Sequence, residues 1–180
     1  MRRDDNETKV DRTKNDSLLS FEELIREHQA MVYSLAYHFL HDTGEAEELA
    51  QEVFLKFSRH WSQFQTPQHL VFWLRKVTSN LCIDWIRRRK SGHHVSLEDL
   101  TEFEISDRED DPFQSRRLQC LIATLPEKQR LIITLRFQED LEPSEIAEIL
   151  EMPVNTVKSQ LQRAIAILRE KLQVLEKTAV

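Results

Sequence analysis

Apolar residues recur along this chain at three- and four-residue intervals, a spacing that predicts helix nearly throughout. Ser20-Phe-Glu-Glu23 has the form of a capping box, and Leu24, Ile25, Met31, Val32, Leu35, Ala36 and Phe39 then describe a long helix ending near His41. Asp42-Thr-Gly-Glu45 restarts the chain with a second cap, and Ala46, Leu49, Ala50, Val53, Phe54 and Phe57 form the buried stripe of a second helix. Trp61 to Leu70 breaks the pattern, with Thr66-Pro67 as a loop signal. A third run, from about Gln68 to Arg89, puts Leu74, Val77, Leu81 and Trp85 on its core face, and Lys76, Asn80 and Arg87 opposite, with Asp84 at the edge.

Beyond Ser91-Gly92 the pattern lapses into an acidic stretch and resumes at Phe113 to Leu125. Pro126 suits the first position of another helix, whose Leu131, Ile132, Leu135 and Phe137 are expected in a core. Ser144-Glu-Ile-Ala-Glu-Ile-Leu150 and Val154-Asn-Thr-Val-Lys-Ser-Gln-Leu-Gln-Arg-Ala164 are two amphipathic runs separated only by Glu151-Met152-Pro153. Helices joined by so tight a turn cross steeply, with small Ala147 at the closest approach. That is helix-turn-helix geometry, whose second helix enters the major groove. The expected fold class is all-α: two small helical domains joined by a flexible acidic linker, the C-terminal one a helix-turn-helix. The expected divisions are a disordered tail at 1–17, domains at 18–91 and 113–176, and the linker at 92–112.

Composition supports this reading. Two glycines and five prolines in 180 residues favour helix. No run of about 18 apolar residues predicts a membrane span, and Met1-Arg-Arg-Asp-Asp-Asn-Glu lacks the apolar centre of a signal peptide. Cys82 and Cys120 read as buried thiols in a reducing cytoplasm. The formal net charge of −6 conceals segregation, because Leu97 to Asp111 carries eight carboxylates against Arg108 alone. Without that stretch the chain is near neutral, with basic clusters at Arg75-Lys76, Arg87 to Lys90 and Lys158 to Lys171. Such a balance predicts weak binding to DNA by the chain alone.

Three segments, in order, resemble bacterial sigma factors. Glu45-Ala-Glu-Glu-Leu-Ala-Gln-Glu-Val-Phe54 resembles their polymerase-clamp-binding helix, and Trp73 to Arg89 their promoter-melting, minus-10-reading helix. Leu125-Pro-Glu-Lys-Gln-Arg130 through Arg169 resembles their minus-35-reading domain. With only these two domains, the pattern is similar to the extracytoplasmic-function (ECF) subgroup of the sigma-70 family. The resemblance implies a factor that binds core RNA polymerase, on the clamp helices of its largest subunit and the flap of its second-largest, and directs it to promoter DNA. It also implies an anti-sigma factor as a partner, a stress or envelope-response regulon, and a cytoplasmic location, with retention at the inner membrane face if that partner is membrane-bound.

Site residues follow from the resemblance. Glu45, Glu47, Glu48, Gln51, Glu52 and Phe54 are expected to contact polymerase; acidic positions there suit a partner bearing Arg or Lys. The minus-10 region falls to Phe64, Gln65 and His69 as pocket residues for a flipped base, and to Lys76, Asn80, Asp84, Arg87 and Arg88 on the helix that follows. For the minus-35 element the expected set is Asn155, Thr156, Lys158, Ser159, Gln160, Gln162 and Arg163, with Arg163 suited to guanine and Lys158 to phosphate. Three departures stand out: Glu151 occupies a turn position where the family often has Gly, Asn155 another such position before Thr156, and Gln160 one where Arg is usual. No catalytic, cofactor or metal residue is expected. No nucleotide or nucleophile motif is present, and His93-His94 lacks a ligand pair at metal spacing. The alternatives left open are an ordinary dimeric helix-turn-helix regulator, which binds duplex DNA without polymerase, and a helical adaptor that binds only protein.

Overall fold

The structure, a computed structural model, describes residues 20–92 and 116–178. The expected tail, the acidic stretch from 93 to 112, and Phe113 lie outside the described residues. Among the described residues there are helices and no strands.

Helix α1 (Phe21–Leu40) opens on the expected capping box: Glu23 N–H donates to Ser20 Oγ at 3.3 Å, and Ser20 N–H to Glu23 Oε2 at 2.7 Å. It closes on His41, a left-handed residue (φ 57°) whose N–H reaches Tyr37 O at 2.7 Å. The chain re-enters helix at once, because Asp42 Oδ1 accepts Glu45 N–H at 2.8 Å and caps α2 (Thr43–Ser58). A 3-10 turn at Trp61–Gln63 follows. Thr66-Pro67, expected as loop, instead starts α3 (Pro67–Gly92): Thr66 Oγ1 accepts His69 N–H at 3.2 Å, and a first-turn proline sacrifices no helical hydrogen bond.

The three helices bury Leu35, Phe39, Leu49, Val53, Phe57 and Leu74 completely. Each such side chain stabilises the fold by about 1.5–3 kcal/mol through area removed from water. Phe57 is the aromatic hub, with ring centroids of Phe21, Phe64 and Trp73 at 5.3, 5.9 and 6.2 Å.

The C-terminal half comprises α4 (Arg116–Ala123), α5 (Glu127–Phe137), α6 (Pro143–Ile149) and α7 (Val154–Thr178). Pro126 caps α5 from just outside, one position before its expected place. Ile146, Ala147 and Ile149 of α6 and Val157 of α7 are buried together, and Met152 N–H returns to Ala147 O at 2.9 Å across the helix-turn-helix. A second cluster, Leu121, Ile122, Leu125, Ile133, Ala164 and Leu168, fastens α4 and α5 to α7.

The halves also pack on each other, α5 against α1 and α3, and α6 against α3. Leu131, Ile132, Leu135, Leu141 and Ile146 thereby join the N-terminal core in one continuous cluster. Two sequence expectations need correction. Phe137 is 49% exposed, because it lies about 200° around α5 from buried Leu135. Cys82 is fully buried, its thiol pushed up by burial, but Cys120 is only half-buried at the margin of the second cluster.

Candidate nucleic-acid and polymerase interfaces

The helix expected to read DNA is α7. Val157, Ala164 and Leu168 recur at about 100° per residue and face inward, which turns Asn155, Lys158, Gln162 and Arg163 to solvent on a common side. Thr156 and Ser159 are half-buried at its edge, tied by a hydrogen bond from Ser159 Oγ to Thr156 O at 2.9 Å. Gln160 points elsewhere: its Oε1 accepts from Gln129 Nε2 of α5 at 3.0 Å. Gln160 thus braces the recognition helix against its support. Glu151, in the turn position where Gly is usual, has φ 51°, the left-handed conformation its place demands.

On α3, Asn80, Asp84, Arg87 and Arg88 are exposed, and Arg87 Nη1 lies 3.6 Å from Asp84 Oδ1. Lys76 is half-buried, its Nζ 2.5 Å from Glu151 Oε1. Burial of α3 is broader than the expected core face, for Thr78, Ser79, Cys82 and Ile86 are buried as well, and α5 and α6 pack against the helix besides α1 and α2. In the segment before α3, Gln65 and His69 are exposed, whereas Phe64 is buried. The Phe64 ring stands edge-on to His69 at 5.3 Å and tilted against Trp73 at 5.3 Å. Phe64 therefore forms the floor beneath His69.

Helix α2 presents Glu47, Glu48 and Gln51 to solvent, with Glu52 half-buried and 3.7 Å from Lys56 Nζ. Two of the expected polymerase residues turn toward the fold. Phe54 packs on the core edge-on to Phe57. Glu45 is half-buried and accepts Arg89 Nη1 at 3.1 Å; burial raises its carboxyl above the usual range while Arg89 pulls it down. Sequence reasoning missed Leu55, which is 64% exposed. The signal was present: Glu48, Gln51, Glu52 and Leu55 follow the i, i+3, i+4, i+7 spacing of one helix face, where a lone leucine has no core to enter.

Comparison with known proteins agrees with this geometry. A model of sigma-70 region 2 matches residues 24–92, and one of sigma-70 region 4 matches residues 115–168. These two regions define the class, a sigma-70-type factor. The ECF RNA polymerase sigma factor SigW of Bacillus subtilis is 31% identical over 167 residues, covering 86% of this chain and 89% of SigW. The RNA polymerase sigma-E factor of Streptomyces coelicolor is 32% identical over 155 residues, covering 86% and 87%. In fold, the chain is similar to the sigma factor RpoE of Bartonella quintana, solved with the anti-sigma factor NepR (TM-score 0.71, 20% identity, 86% of this chain and 97% of that one). It is also similar to CnrH, solved with the cytosolic domain of CnrY (TM-score 0.62, 19% identity, 86% and 88%). The chain belongs to the ECF sigma factors. It accordingly binds core RNA polymerase and directs it to promoters, a regulatory rather than a metabolic role.

Proposed function

We propose the following division of labour. Region 2, over residues 18–91, docks on the polymerase clamp through Glu47, Glu48, Gln51 and Glu52, with Leu55 as the apolar anchor at the end of that face; Glu45 and Phe54 hold the face in place from beneath. Gln65 and His69 rim the site for an extruded minus-10 base over the Phe64 floor, and Asn80, Asp84, Arg87 and Arg88 follow the strand along α3, with Lys76 at its far end. Region 4, over residues 113–176, reads the minus-35 element, with Asn155, Gln162 and Arg163 on base edges and Thr156, Lys158 and Ser159 on phosphates, braced by Gln160. The acidic stretch 92–112 tethers the two.

The observation that carries this reading is the open face of α7, where Asn155, Lys158, Gln162 and Arg163 stand together beside a turn of helix-turn-helix form. Among the described residues no helix is long and apolar enough to cross a membrane, which fits work in the cytoplasm. An anti-sigma partner and a stress or envelope-response regulon complete the proposal; the RpoE fold it resembles was solved with such a partner. The test is Arg163→Ala in holoenzyme, assayed by run-off transcription on promoters with intact and scrambled upstream elements. The variant should lose about 1–3 kcal/mol of upstream discrimination while its basal initiation is kept. Unchanged discrimination would remove Arg163 from base reading.

A further inference from the structure

Beyond their shared apolar core, the two halves are joined by two ion pairs whose basic members lie on the promoter-reading helix. Arg75 Nε donates to Glu139 Oε2 at 3.0 Å, and Lys76 Nζ to Glu151 Oε1 at 2.5 Å. Both acids come from region 4, in the short connections on either side of α6, and each adjoins or occupies a left-handed position (Asp140 φ 50°, Glu151 φ 51°). Those turns aim the carboxylates back at α3. Around the ion pairs, Gln138 Nε2 donates to Ser34 Oγ at 3.1 Å, and Arg130 Nη1 to Phe39 O at 3.1 Å, with the guanidinium 5.5 Å from the Phe39 ring centroid.

This arrangement cannot be the one that reads a promoter. Elements named for positions −10 and −35 lie about 25 base pairs apart, roughly 85 Å along B-form DNA at 3.4 Å per pair. Here the turn of the minus-35 reader touches the minus-10 helix. An adjacent arginine and lysine on a DNA-reading helix, each holding a carboxylate, have the chemistry of two phosphate contacts already filled.

We infer that Glu139 and Glu151 are an intramolecular stand-in for promoter phosphates: they occupy Arg75 and Lys76, close region 4 onto region 2, and are displaced when α3 takes DNA. The proposal rests on the reading of α3 as the minus-10 helix and adds its regulation. The closed chain therefore binds DNA more weakly than its exposed cations would suggest, and polymerase and promoter together must separate the halves.

Two measurements on the full chain test this without polymerase. The first is a salt titration of binding to a labelled duplex without promoter sequence, comparing wild type with Glu139→Gln/Glu151→Gln. The charge-matched control is Glu22→Gln/Glu27→Gln on the outer face of α1. Freeing two phosphate-binding cations should tighten binding several-fold and steepen the log–log salt slope by up to about 1.8 relative to that control. A latch variant indistinguishable from the control overturns the proposal. The second is small-angle scattering. Glu139→Arg should expand the particle at unchanged helical content, and Arg75→Glu/Glu139→Arg should restore the compact form. A compact single variant, or a swap that stays expanded, overturns it. A chain that opens and closes as described yet starts no transcript would keep the latch and remove the sigma reading.

Discussion

His41 ends α1 in a left-handed conformation, and burial, with Arg130 and His38 beside it, lowers its pKa to about 3. It is therefore neutral in the folded chain at pH 7. A base whose pKa is depressed on folding contributes stability that is fully present above its unfolded value near 6.5, and that is lost as pH falls toward 3. Glu139, pushed up by burial more than Arg75 pulls it down, acts in the opposite sense, so a comparison is needed. Wild type should lose stability to urea between pH 7.5 and 5. His41→Asn, which keeps the left-handed helix end and removes the titration, should lose less. Equal losses would show that His41 does not gate this transition. At this scale the sequence was partly legible. The Ser20 and Asp42 caps could be read from local chemistry alone, and the strained Glu151 from the glycine that the resemblance expects at its position. Buried His28, His38 and His41 could not, since nothing in a helical period distinguishes a buried histidine from an exposed one.

Helices α1, α2 and α3 are continuous where their apolar period is continuous, and the turn residues between them were the visible punctuation. The errors lie at element edges. Thr66-Pro67 reads equally as a loop or as cap and first turn, and only the hydrogen bond to His69 N–H decides. Phe137 looked like core because its neighbours are, though its angle around α5 turns it outward. Leu55 is the same kind of case with a functional consequence. An exposed leucine among Glu48, Gln51 and Glu52 has the makings of an interface anchor, a small number of which usually carry most of the affinity. Leu55→Asp should weaken core-polymerase binding at least tenfold, about 1.4 kcal/mol, with helical content unchanged because the side chain packs little in the free chain. Competition against a labelled wild-type chain reads this out directly. Wild-type affinity in the variant would place the docking face elsewhere.

Across the whole molecule, the two-domain organisation was legible from order and spacing, but the closure of one half on the other was not. Arg75 and Glu139, or Gln138 and Ser34, are paired across more than sixty residues of sequence. No periodicity reports such a pairing, and a basic residue on a helix looks equally ready for phosphate whether or not a carboxylate already holds it. The central claim is that this chain gives core polymerase its choice of promoter. The measurement is run-off transcription with purified bacterial core polymerase on a pool of genomic promoter fragments, with and without the full chain. Discrete, chain-dependent start sites that share two spaced sequence elements are the predicted result. No chain-dependent transcript, with tight binding of the chain alone to palindromic duplex DNA, would contradict the account and identify an ordinary helix-turn-helix regulator.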